Sequence, residues 1–198
     1  MRAMQKKKMN VHSYKCGPDY IDPLFHSAAS GQESVNLDTW LGSEKHVCDL
    51  FSHYSSNADI SIVEGVMGLF DGYDKSKGSS AEIATLLDTP VILLVNAKSV
   101  AYSVAPLIYG FKNFHPEIKL AGVVFNMVAS DSHYSYLEQA CEDAGVTSLG
   151  YMQRNPSLSI PGRHLGLTIT AKQEMENLIQ LAAEEIEKLV NITKKIWR

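Results

Sequence analysis

Cysteine is scarce: Cys16, Cys48 and Cys141 are the only three in 198 residues, and no two stand in a Cys-x-x-Cys spacing. That excludes a disulfide framework and a cysteine-type zinc site, and it points to a reducing, cytoplasmic setting. Long apolar runs are missing as well. The longest strongly apolar stretch is residues 91–95, far below the ~18 residues of a membrane span. Arg2, Lys6, Lys7 and Lys8 open the chain, but no apolar core follows them, so no secretory signal is read there. There is no excess of positive charge: 18 Lys and Arg against 22 Asp and Glu leave a net charge of -4, which argues against a nucleic-acid-coating protein. Internal repeats, low-complexity tracts and long blocks of like charge are absent too. With 45% apolar residues, what remains is a globular chain with enough apolar surface for a core.

Strand-like and helix-like segments alternate along it. Short apolar strands are expected at 11–14, at 60–63 ending in Glu64, and at 91–95, 122–125 and 146–151. The runs at 91–95 and 122–125 are continuously apolar, as in a parallel sheet covered on both faces. Helices are expected at 38–54, 80–87, 101–114, 132–144 and from 172 to about 196. This alternation predicts an α/β domain with a mostly parallel sheet and right-handed crossovers. Two longer loops, 17–36 and 154–167, are expected at the carboxyl edge of the sheet, where such folds place their sites.

Two clusters could carry chemistry. Lys15-Cys16-Gly17-Pro18-Asp19-Tyr20-Ile21-Asp22-Pro23, followed by His26, sets a lysine at a strand end and two carboxylates three residues apart between prolines. Such carboxylates can bind Mg²⁺ or orient a substrate, and Lys15 can neutralise phosphate or carboxylate oxygens; Asp19 and Asp22 can equally cap turns. The second cluster runs from Glu64 to Gly72. An acid aimed by an apolar strand and followed by glycines suits a metal-binding carboxylate beside a nucleotide, and it also suits an ordinary strand end. Asn126 at a strand end can read an adenine edge or cap a turn. Ser79 and Ser80 at a helix start can face an anion or act as N-caps. Arg163 and His164 occupy a Pro-Gly loop. Cys48 and Cys141 read as buried helix thiols.

Together the strings KCGPDYIDPLFHSAASG, NLDTWL, IVEGVMGLFDG, GSSAEIATLLDTPVILLVNA, GVVFNMV and IPGRHLGL resemble, in that order, the cobyrinic acid a,c-diamide synthase family. The resemblance runs from about Met4 to Leu167. It implies a P-loop fold of the dethiobiotin synthetase type, and a ligase of cobalamin biosynthesis. Such a ligase uses ATP and glutamine-derived ammonia to amidate the a and c acetates of a corrin-type macrocycle. It further implies that Glu64 and Asp19 hold Mg²⁺, and that Asp19, Asp22, Glu64 and Asp71 form the catalytic set. Lys15, Tyr20, Ser79 and Ser80 would lie on the substrate side, and Asn126 and Arg163 on the nucleotide side.

Two features of the family pattern are not found in the sequence. There is no G-x-x-x-x-G-K-S/T phosphate loop, and there is no glutaminase domain with a nucleophilic cysteine and histidine. The expectation is a synthetase domain over residues 1–170, lacking its first strand and phosphate loop. Residues 171–198 would then form a helix leading towards a glutaminase domain, and the chain alone would be inactive. The resemblance places the absent strand inside the sheet, so self-association is also expected. Expected partners are a tetrapyrrole substrate and the glutaminase domain, with neither nucleic acid nor membrane. A switch-type ATPase of P-loop descent and a non-catalytic tetrapyrrole-binding remnant are the alternatives. The rigid GPDYIDP loop (residues 17–23) speaks against the first.

Overall fold

The computed structural model describes residues 1–158 and 172–190. The chain divides into two compact units, Met1–Thr89 and Pro90–Arg198. The first holds α1 (Arg2–Lys6), β1 (Val11–Cys16), α2 (Asp22–Ser30), β2 (Val35–Leu37), α3 (Glu44–Ser55), β3 (Ile60–Glu64) and α4 (Ser80–Leu86). The second holds β4 (Val91–Asn96), α5 (Val104–Phe114), β5 (Leu120–Val128), α6 (Asp131–Asp143), β6 (Ser148–Gln153), a 3₁₀ turn at Pro156–Leu158 and α7 (Lys172–Leu189). Every named strand pair is parallel, in the orders β2-β1-β3 and β4-β5-β6. The α/β class with parallel strands is as expected. The pairing among the described strands forms two three-stranded sheets.

β1 is buried on both faces, and its alternating side chains serve two helices. On the even face, the Tyr14 ring packs 5.0 Å from that of Phe51, and its hydroxyl donates to the Phe51 carbonyl at 3.3 Å. His12 stacks on Tyr54 at 5.1 Å. Tyr14, Cys16, Leu37, Val47 and Ile83 form the core there, and burial pushes the Cys16 thiol up to about 11. On the odd face, the Ser13 and Ser30 hydroxyls meet at 3.5 Å, and Lys15 reaches Asp22. Both partners belong to α2.

That helix corrects one expectation: residues 17–36 are not a single loop but contain α2 and most of β2. The signals are local. Pro23 stands in the first turn, where its missing N–H costs nothing, and Gly31 closes the helix at φ 71°. Arg2 and Gln5 of α1 donate to the carbonyls of Ala28, Ala29 and Ser30, satisfying the exposed end of α2. A second difference lies at 38–43. There the Asp38 Oδ1 accepts from the amides of Trp40 and Leu41, so α3 begins only at Glu44, capped by Ser43.

In the second unit β5 is central, and Phe125, Leu137, Ala140, Cys141 and Tyr151 pack with Val95 and Ile108 into the core. Tyr134 stacks on Tyr151 at 4.3 Å. Among the described residues, no helix is long and apolar enough to cross a membrane.

Candidate active site

The parallel register of the first unit carries Lys15 of β1 alongside Glu64 of β3. Both strands end there, and α2 begins just after. Lys15 is 3% exposed, yet its ammonium is fully provided for. It donates to the Glu64 Oε1 at 3.2 Å and the Gly65 carbonyl at 2.9 Å, and pairs with the Asp22 Oδ2 at 3.0 Å. Three N–H bonds thus meet three acceptors. Burial by itself would drive the Lys15 ammonium down, but Asp22 and Glu64 outweigh it and hold it above the ordinary lysine value.

Glu64 is held from two sides. Its Oε1 faces Lys15 and its Oε2 takes a contact from the His26 Nε2. Burial raises its carboxyl, while the His26 hydrogen bond and the nearby charges of Lys15 and His26 win and hold it below the ordinary carboxylate value. The Glu64 side chain remains about half exposed. It is therefore the carboxylate of this cluster that an incoming cation could reach. The far nitrogen of His26, Nδ1, lies 3.3 Å from the Ser34 hydroxyl, which itself donates to the Ser13 carbonyl at 3.2 Å. A partly buried chain of contacts thus runs from β1 through Ser34 and His26 to Glu64.

The remaining residues of the two motifs mostly organise backbone. Asp19 accepts at Oδ1 from the amides of Ile21 and Asp22, which opens α2. Its own carbonyl accepts from the Asn36 side chain at 2.6 Å. Tyr20 is 75% exposed. Asp71 accepts from the Gly68 amide at 2.9 Å, closing the 68–71 turn. Ser80 accepts from the Val66 amide at 2.9 Å, and a Cβ on Gly65 would stand 2.7 Å from that hydroxyl. Ser79 is the N-cap of α4, accepting from the Glu82 amide. Asn126 belongs to the second unit. Its Oδ1 accepts from the Met127 amide, whose residue sits at φ 63°. Arg163 lies outside the described residues.

Three contributors carry no sequence signal that singled them out: Ser34, Asn36 and the Gly65 carbonyl. His26 had one. It stands four residues after Asp22, so a helix there puts both on one face towards Lys15 and Glu64.

Mg²⁺ can be tested against this donor set. Among the described residues, no group of three or more His, Cys, Asp or Glu side chains is arranged to hold a metal ion. Mg²⁺ does not require such a cage; it commonly keeps several waters and takes one or two carboxylates together with phosphate oxygens. A half-exposed carboxylate on a strand end, ionised by its neighbours, fits that use.

A parallel α/β chain with an acid at the end of one strand and a lysine beside it has the architecture of the P-loop NTPase class. The chain belongs to the AAA domain family, whose profile matches residues 19–161. It is similar to proteins named cobyrinate a,c-diamide synthase. That of Dehalococcoides mccartyi strain CBDB1 is 45% identical over 196 residues, covering 97% of this chain and 42% of the relative. That of Saccharolobus solfataricus is 41% identical over 195 residues, covering 98% and 44%. That of Listeria innocua is 40% identical over 205 residues, covering 98% and 45%. The chain therefore spans less than half the length of these curated relatives.

Proposed function

We propose that this chain is the synthetase portion of an ATP-dependent ligase that amidates the a and c acetate carboxylates of cobyrinate. In this reading a substrate carboxylate oxygen attacks the γ-phosphorus of ATP, and ADP leaves. Ammonia from glutamine then attacks the resulting acyl phosphate carbon. Phosphate departs with the C–O electron pair, a proton leaves the nitrogen, and an amide remains. The reaction brings polyanions together, so it needs positive charge and fixed carboxylates at one edge. The observation that carries the proposal is the Lys15–Asp22–Glu64–His26 cluster at the carboxyl ends of β1 and β3. Its support is the 40–45% identity to proteins bearing that name.

Within the cluster, Glu64 would hold Mg²⁺, and the ion would supply charge neutralisation between the nucleotide and the substrate carboxylate. Lys15 bridges Glu64 and Asp22 and helps to hold the Glu64 carboxyl below its ordinary value. Asp19 sets the start of α2, and so the place of Asp22 and His26. Asn126 and Arg163 remain assigned to the nucleotide, and Tyr20, Ser79 and Ser80 to the substrate. The direct test is a chain extended to the length of its relatives, given cobyrinate, MgATP and glutamine. Amide formation matched by ADP release is expected; ATP hydrolysis indifferent to cobyrinate would remove the ligase reading.

Two further expectations follow for the 198-residue chain itself. Its sequence holds no G-x-x-x-x-G-K-S/T loop, the motif whose backbone amides and lysine grip a triphosphate. Titration calorimetry should show no MgATP binding in the micromolar range, and tight binding would mean that another segment grips the phosphates. Self-association is expected as well. Among the described strands, β3 pairs only with β1 and β4 only with β5, and Leu94 on β4 is 66% exposed. Half-exposed apolar strands with an unpaired edge favour pairing between copies. Sedimentation at micromolar concentration should show a dimer or larger; a compact monomer would count against it.

A further inference from the structure

Trp40 and Tyr73 are both exposed, at 67% and 60%, yet they pack against each other edge to face with centroids 4.6 Å apart. Trp40 follows β2 by three residues and Tyr73 follows β3 by nine. The pair therefore lies in loops leaving the same carboxyl edge as Lys15 and Glu64. The two loops are rigidly built. Asp38 holds the Trp40 and Leu41 amides. Residues 72–78 form a small hairpin in which the Tyr73 amide donates to the Lys77 carbonyl and the Gly72 amide to the Lys75 carbonyl. The Tyr73 ring lies over Gly78, where a Cβ would stand 2.6 Å from it. One carboxylate oxygen joins the two loops: the Glu82 Oε2 accepts from the Thr39 hydroxyl at 2.6 Å and from the Gly78 amide at 2.9 Å.

Resting on the proposed function, we infer that this aromatic corner is the surface on which the ring of the corrinoid substrate lies while one of its acetates reaches the Lys15–Glu64 cluster. Fixed aromatic rings offer contact area at little cost in conformational entropy. Their size decides the kind of occupant. A fully covered aromatic side chain buries about 150–250 Å², and this pair, already in mutual contact, offers less than twice that, the scale of a small-molecule ring. That falls short of the roughly 800 Å² per partner of a stable protein interface. The charges agree. The hairpin carries Lys75 and Lys77, both exposed, against Asp74. Asp38 and Asp71 spend an oxygen on backbone amides. The two exposed ammonium groups of the hairpin are the groups there that could pair with carboxylates on the rim of a macrocycle.

The test uses the full 198-residue chain with Trp197→Phe, which leaves Trp40 as the sole tryptophan, and cobyrinate as the probe. Equilibrium dialysis measures affinity, and Trp40 fluorescence reports contact. Saturable binding with quenching of Trp40 is expected. Trp40→Ala and Tyr73→Ala, measured by dialysis, should each weaken binding roughly tenfold, while Trp40→Phe and Tyr73→Phe stay within about threefold. Unchanged affinity in both alanine variants, with cobyrinate still bound, overturns the platform and leaves the ligase reading standing. No cobyrinate binding by the parent chain overturns both. Loss of a dimer in Trp40→Ala, with corrinoid affinity intact, assigns the corner to a second copy and overturns the platform.

Discussion

Glu64→Gln should lower ligase turnover by roughly a hundred- to a thousandfold in a chain extended to the length of its relatives, while leaving the fold intact. The magnitude is that of removing one fixed electrostatic partner from a phosphoryl- or acyl-transfer site. The two halves of the expectation have separate reasons. Activity falls because the amide keeps the shape of the carboxylate and loses the charge that would hold Mg²⁺. The fold survives because each neighbour of Glu64 can adapt. The Lys15 ammonium keeps Asp22, the Gly65 carbonyl and the remaining side-chain oxygen. The new NH₂ group faces His26, whose ring can present an unprotonated Nε2 while Nδ1–H donates to Ser34. Thermal unfolding should therefore shift by only a few degrees, and the Mg²⁺ concentration for half-maximal residual rate should rise. Near-normal turnover with an unchanged Mg²⁺ requirement would take Glu64 out of the metal site.

The same residues show what was legible in the sequence. β3 and Glu64 stood out because an apolar run ending in an acid and two glycines has a local signature. β4 and β5 are visible as continuous apolar stretches, and β1 as a short strand candidate at 11–14. α2 was not, because Asp22-Pro23 was weighed as turn chemistry. The signal lay in the pair of Pro23 at the start and Gly31 at the end, read together as one helix. Without α2, His26 is named beside the first cluster but carries no role in the site. β2 is three residues long, too short for any periodicity to register. The order of strands within a sheet depends on contacts distant in sequence, and no local pattern encodes it. The Glu82 strut beneath the aromatic corner was half visible. Ser79 followed by Glu82 reads as a helix start, but the reach of that carboxylate to Thr39 crosses 43 residues.

Lys15→Met should be among the most destabilising single changes in the first unit, about 3–5 kcal/mol out of the roughly 5–15 kcal/mol typical of a domain. The stem of the side chain is preserved, so no cavity of consequence opens. What is lost is the ammonium that three buried or half-buried acceptors share. Asp22 and Glu64 would then face each other without the cation between them, and the Gly65 carbonyl would lose its donor. Lys15→Arg should not restore stability, because a planar fork cannot meet three acceptors gathered around one point. The dependence on pH supplies a signature that simple loss of packing would not. In the parent chain the Glu64 carboxyl is held below its ordinary value. Its contribution is therefore complete above the ordinary carboxylate range, and is lost as pH falls through the lowered folded value. Lys15 is held above its ordinary value, so its contribution is complete below the ordinary lysine range and is lost as pH rises beyond it. Removing Lys15 inverts the acid side: one of the two facing carboxylates now gains by taking a proton. The urea midpoint of Lys15→Met should thus rise between neutral pH and about pH 5, where the parent is flat or declining, with the m-value unchanged. Adding Asp22→Asn should recover part of the loss at neutral pH, since the repulsion then has one member. An unchanged midpoint in Lys15→Met would show that the buried ammonium does not hold this edge of the sheet together. Its purpose would then lie wholly with the substrate or phosphate oxygens that a lysine in this place can also neutralise.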